Sequence, residues 1–160
     1  MKKRSHRDII SEDFVQESVR KFLSNSCFGD EDVATTGLRE HGVDIKVKKM
    51  RPNPIGWYYL VECKGDPKEG VKSPGGSRSS SLNSALGQII SRMHTRRKSP
   101  YGGYNYGVAF PKSFEKIALD KIPYYVCNKL RMSIFLVNQK GQVEKYDHRR
   151  LKVFQKQNVK

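Results

Sequence analysis

The fold of this chain is decided by residues 42–65, which read GVDIKVKKMRPNPIGWYYLVECKG. Apolar and polar residues alternate from Val43 to Lys48, and this period of two predicts a β-strand. The run RPNP then breaks the pattern, and Trp57 to Lys64 form a second, more apolar strand. Two such strands joined by a short turn predict a β-hairpin, with its turn near Asn53.

Two acidic residues of this hairpin are predicted to meet. With the turn near Asn53, residues whose numbers sum to about 106 face each other, as Asp44 and Glu62 do. Glu62 and Lys64 are two residues apart and therefore point to the same face of their strand. The alternative is a surface ion pair between Glu62 and Lys64, with Asp44 facing solvent.

A divalent cation would relieve the repulsion between two carboxylates at one sheet edge. Hard oxygen ligands suit Mg²⁺ or Mn²⁺, so Asp44 and Glu62 are candidate metal ligands. The backbone carbonyl of Cys63 adds a neutral oxygen ligand. Lys64 would then lie beside the metal, where it could orient or deprotonate a water or neutralise negative charge in a transition state.

Helices are predicted on both sides of the hairpin in the sequence. Ser11 is a candidate N-cap for a helix that ends near Ser26, and residues 33–37 are a weak strand candidate. Residues 65–81, rich in Gly, Ser, Pro and Lys, predict a mobile loop that either closes over the site or is a plain linker. An apolar stripe from Leu82 to Met93 marks the next helix, with Gln88 and Arg92 on its flank.

The second half of the chain alternates between strands and helices. YNYGVAF predicts a strand, residues 113–130 a helix broken at Pro123, SIFLVN a buried strand and QVEKYD a final strand. Residues 1–10 are predicted to be a loose basic arm and residues 148–160 a frayed basic tail. The order implies an α/β fold, a central mixed sheet with helices on both faces, in a single domain spanning residues 1–160.

Charge and cysteine content narrow the class of protein. The chain has 31 Lys and Arg against 16 Asp and Glu, a formal net charge of +15. Such an excess predicts a polyanionic partner, most often nucleic acid. Three isolated cysteines predict neither a zinc ribbon nor a disulfide framework but reduced thiols in a cytoplasmic protein. No window approaches the about 18 apolar residues of a membrane span.

Taken together, these motifs resemble the restriction-endonuclease-like, PD-(D/E)XK nuclease superfamily, nearest in pattern to Holliday-junction resolvases and Mrr-type enzymes. The matching residues are Asp44 in GVDI, Glu62 to Lys64 in LVECKG, and Gln88 in ALGQII. The resemblance covers residues 11–137 in element order. It implies a restriction-endonuclease-like core, Asp44 and Glu62 as Mg²⁺ ligands, Lys64 as the catalytic lysine, and a catalytic-site role for Gln88.

The chain departs from that family's pattern in two places. Gly-Val-Asp stands where the family name has Pro-Asp, as is common near the resolvases and Mrr-type enzymes. The acid that the family often carries on its first helix falls on Gln16, so that Glu12 or Glu17 would have to replace it.

The expected function is a metal-dependent endonuclease acting on double-stranded or branched DNA, working as a homodimer so that both strands are cut. Two alternatives remain open. One is a basic nucleic-acid-binding module that kept the fold and lost catalysis. The other is a nuclease that acts on RNA.

Overall fold

The computed structural model of the chain describes residues 9–29, 43–49, 56–94 and 102–158. The weak strand candidate at 33–37, the turn near Asn53 and most of the basic arm lie outside these residues. The helices and strands of the described part are α1 (Glu12–Asn25), β1 (Ile45–Lys48), β2 (Trp57–Cys63), α2 (Pro74–Ser91), β3 (Gly103–Pro111), a 3₁₀ turn (Lys112–Phe114), α3 (Glu115–Lys121), α4 (Tyr124–Leu130), β4 (Met132–Val137), β5 (Val143–Tyr146) and α5 (His148–Asn158).

The strands form one mixed sheet in the order β1-β2-β3-β4-β5. The three central strands β2, β3 and β4 run parallel, while β1 and β5 pair antiparallel at the two edges. The parallel pairs require crossover connections, which α2 supplies between β2 and β3 and the α3–α4 segment supplies between β3 and β4. The predicted α/β architecture with a mixed sheet is therefore confirmed.

The register of the predicted hairpin is also confirmed. Ile45 pairs with Val61 and Lys48 pairs with Tyr58, so that the residue numbers in each pair sum to 106. This pairing carries Asp44, the residue before Ile45, to the level of Glu62. The turn chemistry and the alternating pattern were sufficient to set the register because one face of β1 is buried.

Helices cover both faces of the sheet. On one face α1 packs its buried residues Val15, Val19 and Leu23 against a cluster that includes Val61. On the other face α2 contributes Leu82, Ala85 and Ile89 to a cluster that includes Leu60, joined there by α3, α4 and α5. Leu60 and Val61 are adjacent in β2 and so point to opposite faces.

The prediction of a loop over residues 65–81 was wrong in its second half, because α2 begins at Pro74. Ser73 caps this helix by accepting a hydrogen bond from the N–H of Gly76, and Pro74 occupies its first turn. Ser followed by Pro is a helix-start signal that outweighs the linker-like Gly and Ser composition behind it. Residues 65–73 remain as the loop.

The prediction of a frayed tail over residues 148–160 was also wrong, since α5 spans most of it. The carboxylate of Asp147 caps the helix by accepting from the N–H groups of Arg149 and Arg150. Leu151 is fully buried. The amide of Gln155 donates to the carbonyls of Leu119 and Ile122, which fastens α5 to the end of α3.

The predicted basic arm over residues 1–10 needs a correction at its end. Ile10 is 7% exposed and belongs to the core under α1. Its N–H donates to the carboxylate of Asp66, and its carbonyl accepts from the N–H of Asp66. Two reciprocal hydrogen bonds therefore fix the chain before α1 to the segment that follows β2.

Candidate functional site

The candidate site lies at the carboxyl end of β2, where a carboxylate is buried within the fold. The side chain of Glu62 is only 3% exposed. It shares the face of Leu60, two residues earlier, and therefore lies on the side of the sheet that α2 covers. Burying an ionised carboxylate is costly unless charged or hydrogen-bonding partners compensate, so its surroundings define the site.

Glu62 has two cationic partners. The Nζ of Lys64 lies 3.3 Å from Oε1 of Glu62, and Nη1 of Arg92 lies 2.5 Å from Oε2. The Lys64 side chain is 18% exposed and that of Arg92 is 29% exposed, so both pairs are shielded from solvent. The ion pair between Glu62 and Lys64 is therefore present, but it lies inside the fold, unlike the surface pair that the alternative interpretation required.

Asp44 is held at the same strand end from the other side of the hairpin. Its Oδ2 accepts a hydrogen bond of 2.7 Å from the N–H of Cys63. Its backbone carbonyl accepts one of 2.9 Å from Nη2 of Arg20, on α1. Asp44 is half-buried, so its carboxylate is not the freely solvated group of the alternative interpretation.

The two carboxylates interact electrostatically. Burial raises the pKa of Glu62, the negative charge of Asp44 raises it further, and Arg92 and Lys64 act in the opposite direction. Removal from water and a like charge both favour the neutral acid. The pKa shift and the geometry together indicate that Glu62 is a buried carboxylate close to a second one.

Cys63 contributes backbone groups and not its thiol. Its side chain is fully buried in the cluster under α1, and burial raises the pKa of the thiol well above its usual value. The N–H and C=O of one strand residue point to the same side. Because its N–H reaches Asp44, the carbonyl of Cys63 is directed to the same edge as that carboxylate.

The structure distinguishes between the two acids proposed for the first helix. Gly65 packs so closely on the start of α1 that a Cβ placed there would lie 2.6 Å from the backbone nitrogen of Glu12. The charge of Glu12 also raises the pKa of Cys63. Glu17 is exposed one turn further along α1. Of the two acids, Glu12 is therefore the one whose backbone lies beside the end of β2.

Gln88 lies on α2, one turn before Arg92, as predicted. Its Oε1 is buried, with no hydrogen-bond partner among the described residues. The structure thus brings Asp44, Glu62, the backbone of Cys63 and Lys64 together, whereas Oε1 of Gln88 forms no hydrogen bond with any of the described residues. Arg92 is the site residue that the sequence alone did not assign. Its helical spacing of four from Gln88 was the available signal.

The oxygen donors at the site fit a hard divalent cation. Asp44 and Glu62 supply carboxylates and Cys63 a carbonyl, the ligand types that Mg²⁺ and Mn²⁺ prefer, with water completing the coordination. Within the described ranges no cluster of three or more His, Cys, Asp or Glu side chains is arranged as a ready-made cage. The guanidinium of Arg92 and the ammonium of Lys64 supply the positive charge that contacts Glu62.

Comparison with known proteins finds no matching family model, no matching curated protein and no matching solved structure. In the part of the chain that the structure describes, no helix is long and apolar enough to span a membrane.

Proposed function

We propose that this chain is a metal-dependent DNA endonuclease with a restriction-endonuclease-like core and a site of the PD-(D/E)XK type. The observation that carries the proposal is the buried Glu62 carboxylate, with Asp44 at the same strand end and Lys64 in contact with it. A merely structural ion pair does not require a second carboxylate close enough to raise the pKa of the first.

Asp44, Glu62 and the Cys63 carbonyl would hold a Mg²⁺ or Mn²⁺ ion. When bound, that ion supplies Lewis-acid polarisation of a phosphoryl oxygen and lowers the pKa of a coordinated water. The two acids lie on a hairpin whose register is set by its paired strands, which keeps their separation constant. Positioning on strands is more exact than positioning on loops.

Lys64 places a positive charge beside the scissile phosphate. Its contact with Glu62 orients the ammonium group, and its mostly buried position strengthens the interaction with the charge that develops in the transition state. Arg92 provides a second positive charge on the opposite side of the Glu62 carboxylate. When a metal ion occupies the carboxylates, Arg92 is free to pair with a substrate phosphate.

The proposed substrate is double-stranded or branched DNA, bound through its phosphates. The net charge of +15 supports a polyanionic partner. Cutting of both strands would require two such sites, so a homodimer is the proposed working form. Lys46 and Lys48 lie on the same strand face as Asp44 and are spaced about 7 Å apart, close to the separation of successive phosphates.

A second candidate function is a nucleic-acid-binding module without catalysis. The observation in its favour is that both oxygens of Glu62 already have cationic partners, Lys64 and Arg92, as in a closed structural ion-pair cluster. A nuclease that acts on RNA would use the same residues, and the choice between DNA and RNA is an outcome of the experiment.

The test is cleavage of plasmid DNA, a four-way junction, single-stranded DNA and RNA with Mg²⁺, Mn²⁺ or EDTA. The parent should cut DNA only with a metal, and Glu62→Gln should abolish cleavage while leaving DNA binding intact. Lys64→Met should lower the rate by about 10²–10³. Glu17→Gln, an exposed change on α1, should cut like the parent.

Two results would separate the candidates. Equal cleavage by the parent, Glu62→Gln and Lys64→Met on every substrate would show that the site is misassigned. Tight DNA binding with no cleavage in either metal would favour the non-catalytic module. Cleavage of RNA alone would reassign the substrate.

A further inference from the structure

A cavity of about 450 Å³ opens at the edge of the sheet that carries the candidate site. Asp66, Lys112 and Asn138 line it, and they follow the carboxyl ends of β2, β3 and β4, which run parallel. The carboxyl ends of parallel strands are a common place for ligands in open α/β sheets, although there they bind where the strand order reverses. The cavity shares the first of these features with such sites.

The cavity is directly connected to the candidate site through the backbone. Asp66 lines the cavity and is two residues from Lys64, so their Cα atoms lie at most about 7 Å apart. This distance is close to the spacing of successive phosphates along a nucleic acid strand. The cavity and the candidate site are therefore neighbours along the chain at the same edge of the sheet.

Arg78 lines this cavity and carries a buried donor without a partner in the described part of the chain. Its Nε is buried and has no hydrogen-bond partner among the described residues. The guanidinium lies 6.0 Å from the ring centre of Phe114, which supports its plane. A buried donor without a partner needs an explanation, and an absent ligand is one of the few available. A planar guanidinium is suited to a phosphate.

Two other charged groups of the cavity, Lys112 and Asp66, are already engaged, and Lys68 and Glu69 also line it. Lys112 contacts Glu115 and Glu144, at 2.7 and 2.6 Å. Asp66 accepts hydrogen bonds from the N–H of Ile10 and from the hydroxyl of Ser113. Both carboxylate oxygens of Asp66 are thus occupied by neutral donors.

One wall of the cavity is apolar and exposed. Ile9 is 45% exposed and Val71 is 39% exposed, and both line the cavity together with Pro67 and Pro74. Exposed apolar side chains grouped around a cavity indicate a binding surface. The ligand should accordingly have an apolar, flat part for this wall and an anionic part for Arg78.

We propose that this cavity binds a single nucleotide, with its phosphate on Arg78 and its base against Ile9 and Val71. The same chemistry is offered by a free nucleoside monophosphate and by one nucleotide of a strand. The interpretation that the bound nucleotide belongs to a strand being cut rests on the proposed function. Binding of a nucleotide does not itself require cleavage.

The experiment is a titration followed by amide chemical shifts of the uniformly ¹⁵N-labelled protein in EDTA. The probes are dAMP, deoxyadenosine, and a short oligonucleotide with and without a 5′-phosphate. Saturable shifts of the amides of Gly70, Val71 and Ser113 are expected with dAMP. Deoxyadenosine should bind about tenfold to a hundredfold more weakly, as expected when a charge-assisted hydrogen bond is lost.

Arg78→Gln should weaken dAMP binding by the same factor and should leave deoxyadenosine binding unchanged. Gln is used because it keeps a polar, extended side chain over Phe114, and Arg78→Lys is a second variant that keeps the charge without the planar fork. Arg149→Gln removes one exposed charge from α5, away from the cavity, and should bind like the parent.

The probes also identify the source of the phosphate. If dAMP and the 5′-phosphorylated oligonucleotide bind but the unphosphorylated oligonucleotide does not, the cavity binds a terminal phosphate. If both oligonucleotides bind equally well, it binds a phosphate inside the strand. Equal affinities for dAMP and deoxyadenosine, or no shift at these amides with any probe, would overturn the proposal. Nucleotide binding without cleavage in either Mg²⁺ or Mn²⁺ would refute the proposed function alone. Cleavage without nucleotide binding in the cavity would refute this inference alone.

Discussion

Replacement of Asp44 by Asn should stabilise the protein at neutral pH while it abolishes metal-dependent cleavage. The hairpin register carries Asp44 to the level of Glu62, where side chains of an antiparallel pair have Cβ atoms about 5 Å apart. Two unit charges at that distance interact by about 3 kcal/mol at an effective dielectric constant near 20 and by about 1 kcal/mol in water. Asn keeps an oxygen that can accept from the N–H of Cys63.

The free energy of unfolding should rise by about 1 kcal/mol, near the lower of those values. The rise is small because Asp44 is half-buried and also attracts Arg92 and Lys64. For a domain of this size that corresponds to a rise in melting temperature of about 2–4 °C. Functional sites commonly gain stability when such a crowded charge is removed, at the cost of activity.

The stabilisation by Asp44→Asn should be larger at neutral pH than in acid. Burial and the Asp44 charge raise the pKa of Glu62 above its value in the unfolded chain. A carboxyl group whose pKa is higher in the folded than in the unfolded state contributes stability at pH values below its pKa in the unfolded chain. This contribution is lost as the pH rises through its pKa in the folded protein. Repulsion by Asp44 acts only on ionised Glu62. The gain from Asp44→Asn should therefore be present at neutral pH and absent below about pH 4.

The assay is urea unfolding of the parent and Asp44→Asn at both pH values, with and without Mg²⁺. Mg²⁺ at a hundred times its dissociation constant should stabilise the parent by about 2.7 kcal/mol and the variant far less. Glu17→Gln, an exposed change of the same charge on α1, is the matched control. It should alter neither the free energy of unfolding nor the stabilisation by Mg²⁺. A variant that is destabilised at neutral pH, or changed equally at both pH values, would refute the electrostatic reasoning.

Three further predictions test other parts of the site. Gly65→Ala should destabilise the protein by about 1–3 kcal/mol in urea unfolding, because the added Cβ would lie 2.6 Å from the backbone nitrogen of Glu12. The control is Gly75→Ala, whose added Cβ meets nothing within 4 Å and should cost no stability. Arg92→Gln should lower the free energy of unfolding by about 1–3 kcal/mol at neutral pH, and Mg²⁺ should recover part of that loss. Below about pH 4, where Glu62 is protonated, the variant should lose little stability. An equal loss in acid would contradict the ion pair between Arg92 and Glu62. DNA affinity measured by fluorescence anisotropy should fall by orders of magnitude between low and physiological salt, and an affinity that is indifferent to salt would contradict phosphate binding.

Much of the site could be predicted from local sequence patterns. The alternation around Asp44, the RPNP break and the apolar run to Lys64 predicted the hairpin, and a turn near Asn53 predicted which residues pair. These patterns are sufficient because the side-chain period of a strand and the geometry of a turn act over a few residues. The same local reasoning failed for the start of α2, where a Ser-Pro cap outweighed a Gly- and Ser-rich composition.

The sequence by itself therefore determined the sheet, the position of Asp44 opposite Glu62 and the shared face of Glu62 and Lys64. Only the tertiary structure decided that Arg92 pairs with Glu62 from thirty residues away, that Gly65 places the backbone of Glu12 beside the end of β2, and that Arg78 lies in a cavity beside the site. These contacts depend on how α1 and α2 are rotated and shifted over the sheet. That placement results from packing of whole helix faces against the strands, which no local period of the sequence encodes.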